Sequence, residues 1–327
     1  MSARSNSSAA GSPFPREPIV EADGSVPWTE LDRRPFMFRH RLQPNTLFSI
    51  PRLTEIAIAA AARADWDRFL FSPGITDGAG NRPSSIGVNL RETLSDLERR
   101  RSWVKISSLH ELAPAYGEVL AHIIRDLERQ AQQPLRQMMT FSGLTVFIAS
   151  PRMMTPYHFD HESNFLFQLA GTKDVHLFNP GDRFVLTEQE IEQFYRGDPR
   201  AGRYRPELAG KSVCHHLQPG WAVHHPPLAP HLVHNGDEIS VSVSVYYSLA
   251  PADARAHMYQ ANYVLRRMGL RPRAPGSSRL GDWIKSATLR AMSNRSPRTR
   301  EERLFSGIER VKRLFSAGGR APPERVR

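Results

Sequence analysis

The chain has 327 residues, of which 40% are hydrophobic and 24% charged, and its formal net charge is +11. This is the composition of an ordinary globular protein, and no run approaches the ~18 consecutive apolar residues of a membrane span. The single cysteine, Cys214, excludes an internal disulfide and fits a reducing cytosol, so we expect a cytoplasmic protein with no membrane partner.

The N-terminal part of the chain is predicted to be a tail followed by helices. Residues 1–25 are rich in Ser, Ala, Gly and Pro, which predicts disorder, and they lack the apolar core of a signal peptide. Apolar residues at helical spacing then predict a helix over 51–64 and a stronger one over 113–131. Between these two helices we expect an exposed loop over 74–88 and a charged helix over 89–100.

The pattern changes at Thr140, where short β-rich segments separated by turn residues begin. The predicted strands cover 144–149, 164–169, 174–178, 212–217, 221–225 and 239–247. The last of these alternates Ser and Val strictly, as a strand with one polar and one apolar face does. We therefore expect a small antiparallel barrel or sandwich that carries ligands at its mouth.

The C-terminal part is predicted to be helical again, over 253–268, over 280–292 and from Thr299 onward. A capping box formed by Thr299 and Glu302 marks the start of the last helix, and Gly318 is suited to end it. Helices on both sides of a β core favour one composite domain over two independent ones.

The positive charge is concentrated in residues 251–327, which hold 18 Lys and Arg against six Asp and Glu. Such a segment can bind nucleic acid, a ribosome or another acidic partner. The alternative is a solvated, Arg-rich surface, which the scarcity of aromatic residues for base stacking favours. Apolar stripes on these helices also leave a homodimer interface open.

The candidate metal ligands are His158, Asp160 and His231, the last of which follows 71 residues after Asp160. Residues at i and i+2 of a strand point the same way, so His158 and Asp160 can hold one ion from one strand end. Two imidazoles and one carboxylate on one face of an octahedron leave three open positions, which suits non-haem Fe(II) oxygen chemistry. His224 or His225 stays open as an alternative third ligand, although the proline-flanked turn favours His231.

The stretch from Thr155 to Pro180, TPYHFDHESNFLFQLAGTKDVHLFNP, resembles the JmjC and cupin-type (cupin-like 8) Fe(II)- and 2-oxoglutarate-dependent oxygenases. Within them it is most similar to the branch of the asparaginyl hydroxylase of hypoxia-inducible factor. The stretch from Pro219 to Tyr246 resembles the strand pair that carries the distal histidine of that family. The resemblance covers roughly residues 140–250.

The resemblance implies a mainly β fold with flanking helices. Its core is a double-stranded β-helix, the jelly-roll or cupin core, with N- and C-terminal helical segments. After the tail, residues 26–250 would form the oxygenase domain, with a helical part over 26–139 and a β core over 140–250. Residues 251–327 would be a basic helical extension.

Residue by residue, the resemblance assigns Fe(II) to His158, Asp160 and His231, which would form the catalytic centre. The residues that it assigns to the 2-oxoglutarate site are Thr155, Asn164, Lys173 and Ser244. Lys173 would pair with the distal carboxylate, since a dicarboxylate in a narrow barrel needs a buried cation.

Three features depart from the family pattern. Ser244 stands where the related hydroxylase has Asn, and Trp221 replaces the usual acidic residue after the Pro-Gly turn. His224 and His225 occupy positions that are usually apolar or aromatic. These changes leave the metal-binding residues intact and alter the shape of the pocket beside them.

The implied reaction is hydroxylation of a C–H bond in a protein side chain or a small molecule. O₂ would be a cosubstrate, and succinate and CO₂ would be coproducts. The alternative is a non-catalytic cupin-like protein that binds a metal or regulates, associated with nucleic acid or the ribosome through its basic C terminus. The identity of the substrate does not follow from the sequence.

Overall fold

Two antiparallel sheets form the centre of the molecule in a computed structural model, which describes residues 17–42, 46–62, 69–73, 86–99, 101–297 and 299–318. The described strands are β1 (Phe36–Arg39), β2 (Phe69–Pro73), β3 (Ser102–Ile106), β4 (Met139–Ala149), β5 (Met154–His158), β6 (Ser163–Ala170), β7 (Lys173–Leu177), β8 (Val213–Leu217), β9 (Trp221–His225), β10 (His231–Asn235) and β11 (Ser240–Leu249). The described helices are α1 (Ile50–Ala62), α2 (Ile86–Ser95), α3 (Leu109–Leu112), α4 (Pro114–Ala131), α5 (Leu135–Met138), α6 (Glu188–Tyr195), α7 (Ala250–Arg267), α8 (Arg279–Met292) and α9 (Arg300–Gly318).

The strands from β4 to β11 pass back and forth between the two sheets. The seven-stranded sheet has the order β1-β9-β6-β11-β4-β3-β2, and the four-stranded sheet has the order β5-β10-β7-β8. This arrangement is a double-stranded β-helix, or jelly roll. The predicted fold class is therefore confirmed: a mainly β core of cupin type, with helices before and after it.

Strand β11 separates two different interiors. Val241, Val243 and Val245 pack into the largest hydrophobic cluster, beneath the N-terminal helices. The serines that alternate with them are also buried, and they face the space between the two sheets. The predicted polar face of this strand thus points into the protein rather than to solvent, and an interior lined by hydroxyl groups suits a polar ligand.

The N-terminal helices cover the outer face of the seven-stranded sheet. The predicted helix over 113–131 is α4, whose apolar stripe is buried in the same cluster as the outer side chains of β4 and β11. The helix predicted over 51–64 is α1. Helix α2 begins at Ile86, inside the predicted loop over 74–88, and residues 74–85 of that loop lie outside the described residues.

Residues 17–25 are ordered, so the prediction of disorder over 1–25 is wrong for this part of the tail. Residues 1–16 lie outside the described part of the chain. Ile19 and Val20 are only 3% and 0% exposed, and Val20 forms a β-bridge with His40. Their backbone N–H groups donate to the buried Asp126 carboxylate on α4, at 2.7 and 3.2 Å. Average composition hid this apolar pair because the residues around it are polar.

The C-terminal helices pack onto the core through buried polar contacts. The Gln260 side chain of α7 donates to the backbone oxygens of Tyr195 and Leu304, at 3.2 and 2.7 Å. The predicted cap of the last helix is present, since the Glu302 N–H donates to the Thr299 hydroxyl at 3.1 Å. None of the helices in the described ranges is long and apolar enough to cross a membrane. The domain boundaries, nucleic-acid or ribosome binding and pairing of two copies stay predictions.

We expect Asp126→Ala to lower the free energy of unfolding by about 2–3 kcal/mol, because two buried N–H groups lose their acceptor. Arg129→Ala is the matched control, since Arg129 is an exposed partner of the same carboxylate, and its loss should cost less than about 1 kcal/mol. Urea denaturation of both variants measures the difference. Equal losses in the two variants would contradict the anchoring of Ile19 and Val20 by Asp126.

Candidate metal centre

Three side chains converge at one end of the four-stranded sheet: His158, Asp160 and His231. One ligand atom from each lies within 4.8 Å of the others. Nε2 of His158 and Nε2 of His231 are 4.0 and 3.9 Å from Oδ2 of Asp160. Metal bonds of about 2.1 Å at right angles separate donor atoms by about 3 Å, so a small closure would bring these atoms onto one ion. No other group of three His, Cys, Asp or Glu in the described residues lies as close.

The pairing of β5 with β10 positions the two histidines. His231, the first residue of β10, lies directly opposite His158, the last residue of β5. Their ring centroids are 4.1 Å apart. The prediction that Asp160 shares a strand with His158 is wrong, because β5 ends at His158 and Asp160 lies in the connection to β6. The Leu228 N–H holds that connection by donating to the Asp160 carbonyl at 2.8 Å.

A β-bulge places Thr155 on the same face as His158. The register moves from His231 opposite His158 to Val233 opposite Thr155, so that three steps on β5 match two steps on β10. Without this irregularity, residues three apart on a strand would point to opposite faces. The Thr155 side chain is exposed at the edge of the sheet.

Backbone carbonyls fix both imidazoles in the tautomer that a metal ligand needs. Nδ1 of His158 donates to the Pro156 carbonyl at 2.8 Å, and Nδ1 of His231 donates to the Ala229 carbonyl at 3.0 Å. Because a carbonyl oxygen can only accept, each Nδ1 carries the proton and each Nε2 keeps its lone pair. Both Nε2 atoms face Asp160.

The protonation state of His231 also suits metal binding. Burial lowers the pKa of His231 to about 4, and the neighbouring His158 acts in the same direction. A ligating imidazole must be neutral, so His231 is ready to bind at neutral pH. The side chains of His158 and Asp160 are 35% and 38% exposed, which leaves an open side to the centre.

The polar residues predicted for the cosubstrate lie on the interior faces of the sheets. Ser244 is buried on β11, and its hydroxyl donates to Oδ1 of Asn164 on β6 at 2.8 Å. The Asn164 amide is thereby oriented with its oxygen occupied and its NH₂ group left to donate elsewhere. Lys173 begins β7, opposite Asn235 of β10 and Leu217 of β8.

Lys173 is a buried cation without an acidic partner. It is 6% exposed, and no carboxylate in the described part of the chain forms an ion pair with it. Burial alone lowers its pKa to about 8. On β7 it shares the interior face with Val175 and Leu177, which pack between the sheets. The ammonium group therefore belongs to the same interior as the serines of β11.

Of the two alternative third ligands, His224 points away from the centre. Its ring stacks on Phe165, with centroids 4.7 Å apart, and its Nε2 accepts the Asp32 N–H at 3.1 Å. His225 lies on the other face of β9, toward the centre, where the centroid of its ring is 4.7 Å from that of His231. Neither residue joins the group of close ligand atoms.

A buried polar chain supports the connection that carries Asp160. Nε2 of His161 donates to Oδ1 of Asp253 at 3.0 Å, and the Tyr195 hydroxyl donates to Nδ1 of His161 at 2.7 Å. Burial opposes the charge on Asp253, but hydrogen bonds from His161 and Thr140 outweigh it and lower the Asp253 pKa. His161 directly follows Asp160 in the chain, but no sequence pattern indicated its partners on α6 and α7.

A family model matches the part of the chain that contains the β core. Residues 99–253 match the family model described as a cupin-like domain, which confirms the predicted relationship to cupin-type proteins. A search of curated proteins found no match.

Several solved structures are similar at low identity. The ribosomal oxygenase YcfD of Escherichia coli matches with a TM-score of 0.43 and 14% identity, over 89% of this chain and 64% of that one. A structure of YcfD with cobalt and 2-oxoglutarate matches with a TM-score of 0.41 and 13% identity, over 89% and 64%. The DMSP lyase DddQ of Ruegeria pomeroyi matches with a TM-score of 0.22 and 16% identity, over 33% and 38%. This chain thus spans slightly less than two thirds of the length of YcfD.

We expect His158→Ala, Asp160→Ala and His231→Ala each to weaken Mn(II) binding about 100-fold or more, since changes outside the ligand set already cost 10–100-fold. His234→Ala is the matched control, because His234 lies on the same strand and is exposed on the outer face of the sheet. Calorimetric titration with Mn(II) measures the affinities. A control variant as weak as the other three would contradict this ligand set.

Proposed function

We propose that residues 99–253, a cupin-like domain, form an Fe(II)- and 2-oxoglutarate-dependent oxygenase that hydroxylates a C–H bond. The observation that carries this proposal is the convergence of two imidazole nitrogens and one carboxylate at His158, His231 and Asp160. When bound there, iron and 2-oxoglutarate supply the oxidation: one oxygen atom of O₂ enters the C–H bond, the other enters succinate, and CO₂ leaves.

The ligand residues leave room for this chemistry. His158 and His231 would bind the ion through Nε2, and Asp160 would neutralise one of its two positive charges. Three protein ligands would leave room for a chelating oxo acid and O₂. The substrate is a protein side chain or a small molecule that reaches the centre from the open side at His158 and Asp160.

Lys173 holds the distal carboxylate of 2-oxoglutarate in this proposal. A buried ammonium group without a counter-ion is unfavourable, and a bound carboxylate would remove this penalty. In register, Lys173 lies opposite Asn235, four residues along β10 from His231. About 13 Å of strand separates these positions, a span that a lysine side chain and a five-carbon dicarboxylate can fill together.

The remaining contacts come from Thr155, Asn164 and Ser244. The bulge in the β5–β10 pair supports Thr155 as a hydroxyl donor at the edge of the same face. Ser244 orients the Asn164 amide, so that its NH₂ group can donate to an oxygen atom of the cosubstrate. Ser244 therefore acts through Asn164 as a positioning residue.

We expect the purified protein with Fe(II), ascorbate and O₂ to convert 2-oxoglutarate into succinate, slowly without substrate and faster with it. Asp160→Ala should abolish this conversion, because the third iron ligand is lost. Mass-spectrometric detection of succinate is the measurement, with His234→Ala as the control that should keep the activity of the unchanged protein.

Two outcomes would oppose the proposal. The first is an equal rate of succinate formation by the unchanged protein and by Asp160→Ala. The second is a protein that binds Mn(II) but whose melting temperature does not respond to 2-oxoglutarate, which would favour the alternative of a non-catalytic metal-binding protein.

Lys173 also predicts a pH dependence. Below a pKa of about 8 the ammonium form is present and can pair with the dianion, so affinity for 2-oxoglutarate should fall as the pH rises above that value. The limiting slope is about tenfold per pH unit. Lys173→Arg should stay flat over the same range, because a guanidinium keeps its charge.

Calorimetry of the Mn(II)-loaded protein between pH 7 and pH 9.5 tests this dependence. The ratio of the 2-oxoglutarate affinities of the unchanged protein and Lys173→Arg removes effects of pH on the metal itself.

The lowered pKa of Lys173 also affects the free energy of unfolding. Between about pH 8 and 10.5 the unfolded chain binds more protons, so the ligand-free protein should become more stable as the pH rises. Identical pH profiles for the protein and Lys173→Arg would contradict the role of Lys173.

A further inference from the structure

His225 is a buried imidazole that has no protein partner. Its side chain is 3% exposed, and neither Nδ1 nor Nε2 has a hydrogen-bond partner among the described residues. An unsatisfied polar group in the interior costs about 1–3 kcal/mol, and a leucine of similar size would avoid this penalty. The resemblance implies an apolar or aromatic residue at this position, and packing alone does not explain a histidine whose two nitrogens have no partner.

The direction of the ring supplies that explanation. His225 lies on the interior face of β9, on the same side as Val223, which packs between the two sheets. Its ring meets the ring of His231 edge to face, with an interplanar angle of 75°. An imidazole carries at least one N–H donor in either tautomer, so the ring can donate a hydrogen bond into this interior.

The neighbouring histidine on the same strand shows the contrast. His224 is equally buried, but both of its nitrogens are satisfied: Nε2 accepts from the Asp32 N–H, and Nδ1 donates to the Asn164 carbonyl at 3.2 Å. The chain therefore has polar partners for the histidine in the hydrophobic core. It leaves unpartnered the histidine that faces the metal-binding residues.

We propose that His225 is a ligand-binding residue, which donates a hydrogen bond to the oxo-acid end of 2-oxoglutarate bound beside His231. This inference rests on the proposed function and adds a residue to its cosubstrate site. Lys173 and His225 would then divide the cosubstrate between them: Lys173 binds the distal carboxylate, and His225 binds the carboxylate next to the keto group. The stability lost by leaving a buried imidazole unpaired is recovered when the oxo acid binds.

The test compares His225→Leu and His225→Gln with the unchanged protein, each loaded with Mn(II) under anaerobic conditions. A hydrogen bond to a charged group contributes about 1.5–3 kcal/mol, so His225→Leu should bind 2-oxoglutarate about 10- to 100-fold more weakly. His225→Gln keeps a donor and should recover part of the affinity. Calorimetry with Mn(II) alone, and then with 2-oxoglutarate, separates the two binding steps.

A shortened ligand locates the contact. 2-Oxobutyrate keeps the oxo-acid end and lacks the distal carboxylate. His225→Leu should weaken 2-oxobutyrate and 2-oxoglutarate by the same factor, whereas Lys173→Met should weaken 2-oxoglutarate alone. A loss confined to 2-oxoglutarate in His225→Leu would overturn the assignment to the oxo-acid end.

Stability distinguishes ligand binding from a structural role. Without ligand, His225→Leu should melt at the same temperature as the unchanged protein or higher, because it removes an unsatisfied buried group. His224→Leu is the matched control, which should melt lower and, where folded, bind 2-oxoglutarate normally. A lower melting temperature of His225→Leu together with unchanged 2-oxoglutarate affinity would overturn the proposal in favour of packing.

The remaining outcomes separate this inference from the proposed function. If the Mn(II)-loaded protein binds 2-oxoglutarate and His225→Leu binds it equally, the oxygenase proposal stands and the His225 assignment fails. If His225→Leu loses Mn(II) itself, His225 is a metal ligand and the assignment also fails. If the unchanged Mn(II)-loaded protein does not bind 2-oxoglutarate, the proposed function fails and the assignment falls with it.

Discussion

The antiparallel pairing of β5 with β10 determines the geometry of the candidate metal centre. It brings together residues 73 positions apart in the chain, His158 and His231, at the same end of the four-stranded sheet. A slip of one residue in this register would turn His231 to the outer face of the sheet. The bulge within the same pair keeps Thr155 on the inner face, so one strand pair positions two candidate ligands and one candidate cosubstrate contact.

The core could be predicted from the sequence where the strands carry a regular pattern. All six predicted strands are present, since Val, Ile and Phe alternate there with polar residues between Gly, Pro and Asn turns. Strands β5 and β10 were expected only as the strands that carry His158 and His231, without bounds, because their segments, MTPYH and HLVHN, contain few β-branched residues. The spacing argument chose Asp160 correctly as a neighbour of His158, although the turn after β5, and not the strand, brings it there.

Other features depend on contacts that no local pattern contains. Alternation puts His224 and His225 on opposite faces of β9. Which of them contacts His231 depends on which face packs against the N-terminal helices and which faces the four-stranded sheet. The burial of Lys173 requires both neighbours of β7. The hydrogen bond from Ile19 to Asp126 joins residues 107 positions apart, and the composition of the segment cannot predict such a contact.

The polar chain from Tyr195 through His161 to Asp253 joins the connection that carries Asp160 to the first turn of α7. A jelly roll that ended with β11 would leave the His161 imidazole buried and lacking its acceptor. Helix α7, with which the basic segment over 251–327 begins, is therefore part of the framework of the candidate centre. Among relatives of this chain, we expect the residues at 161 and 253 to vary together. A change in either one alone would leave the other buried without its hydrogen-bond partner.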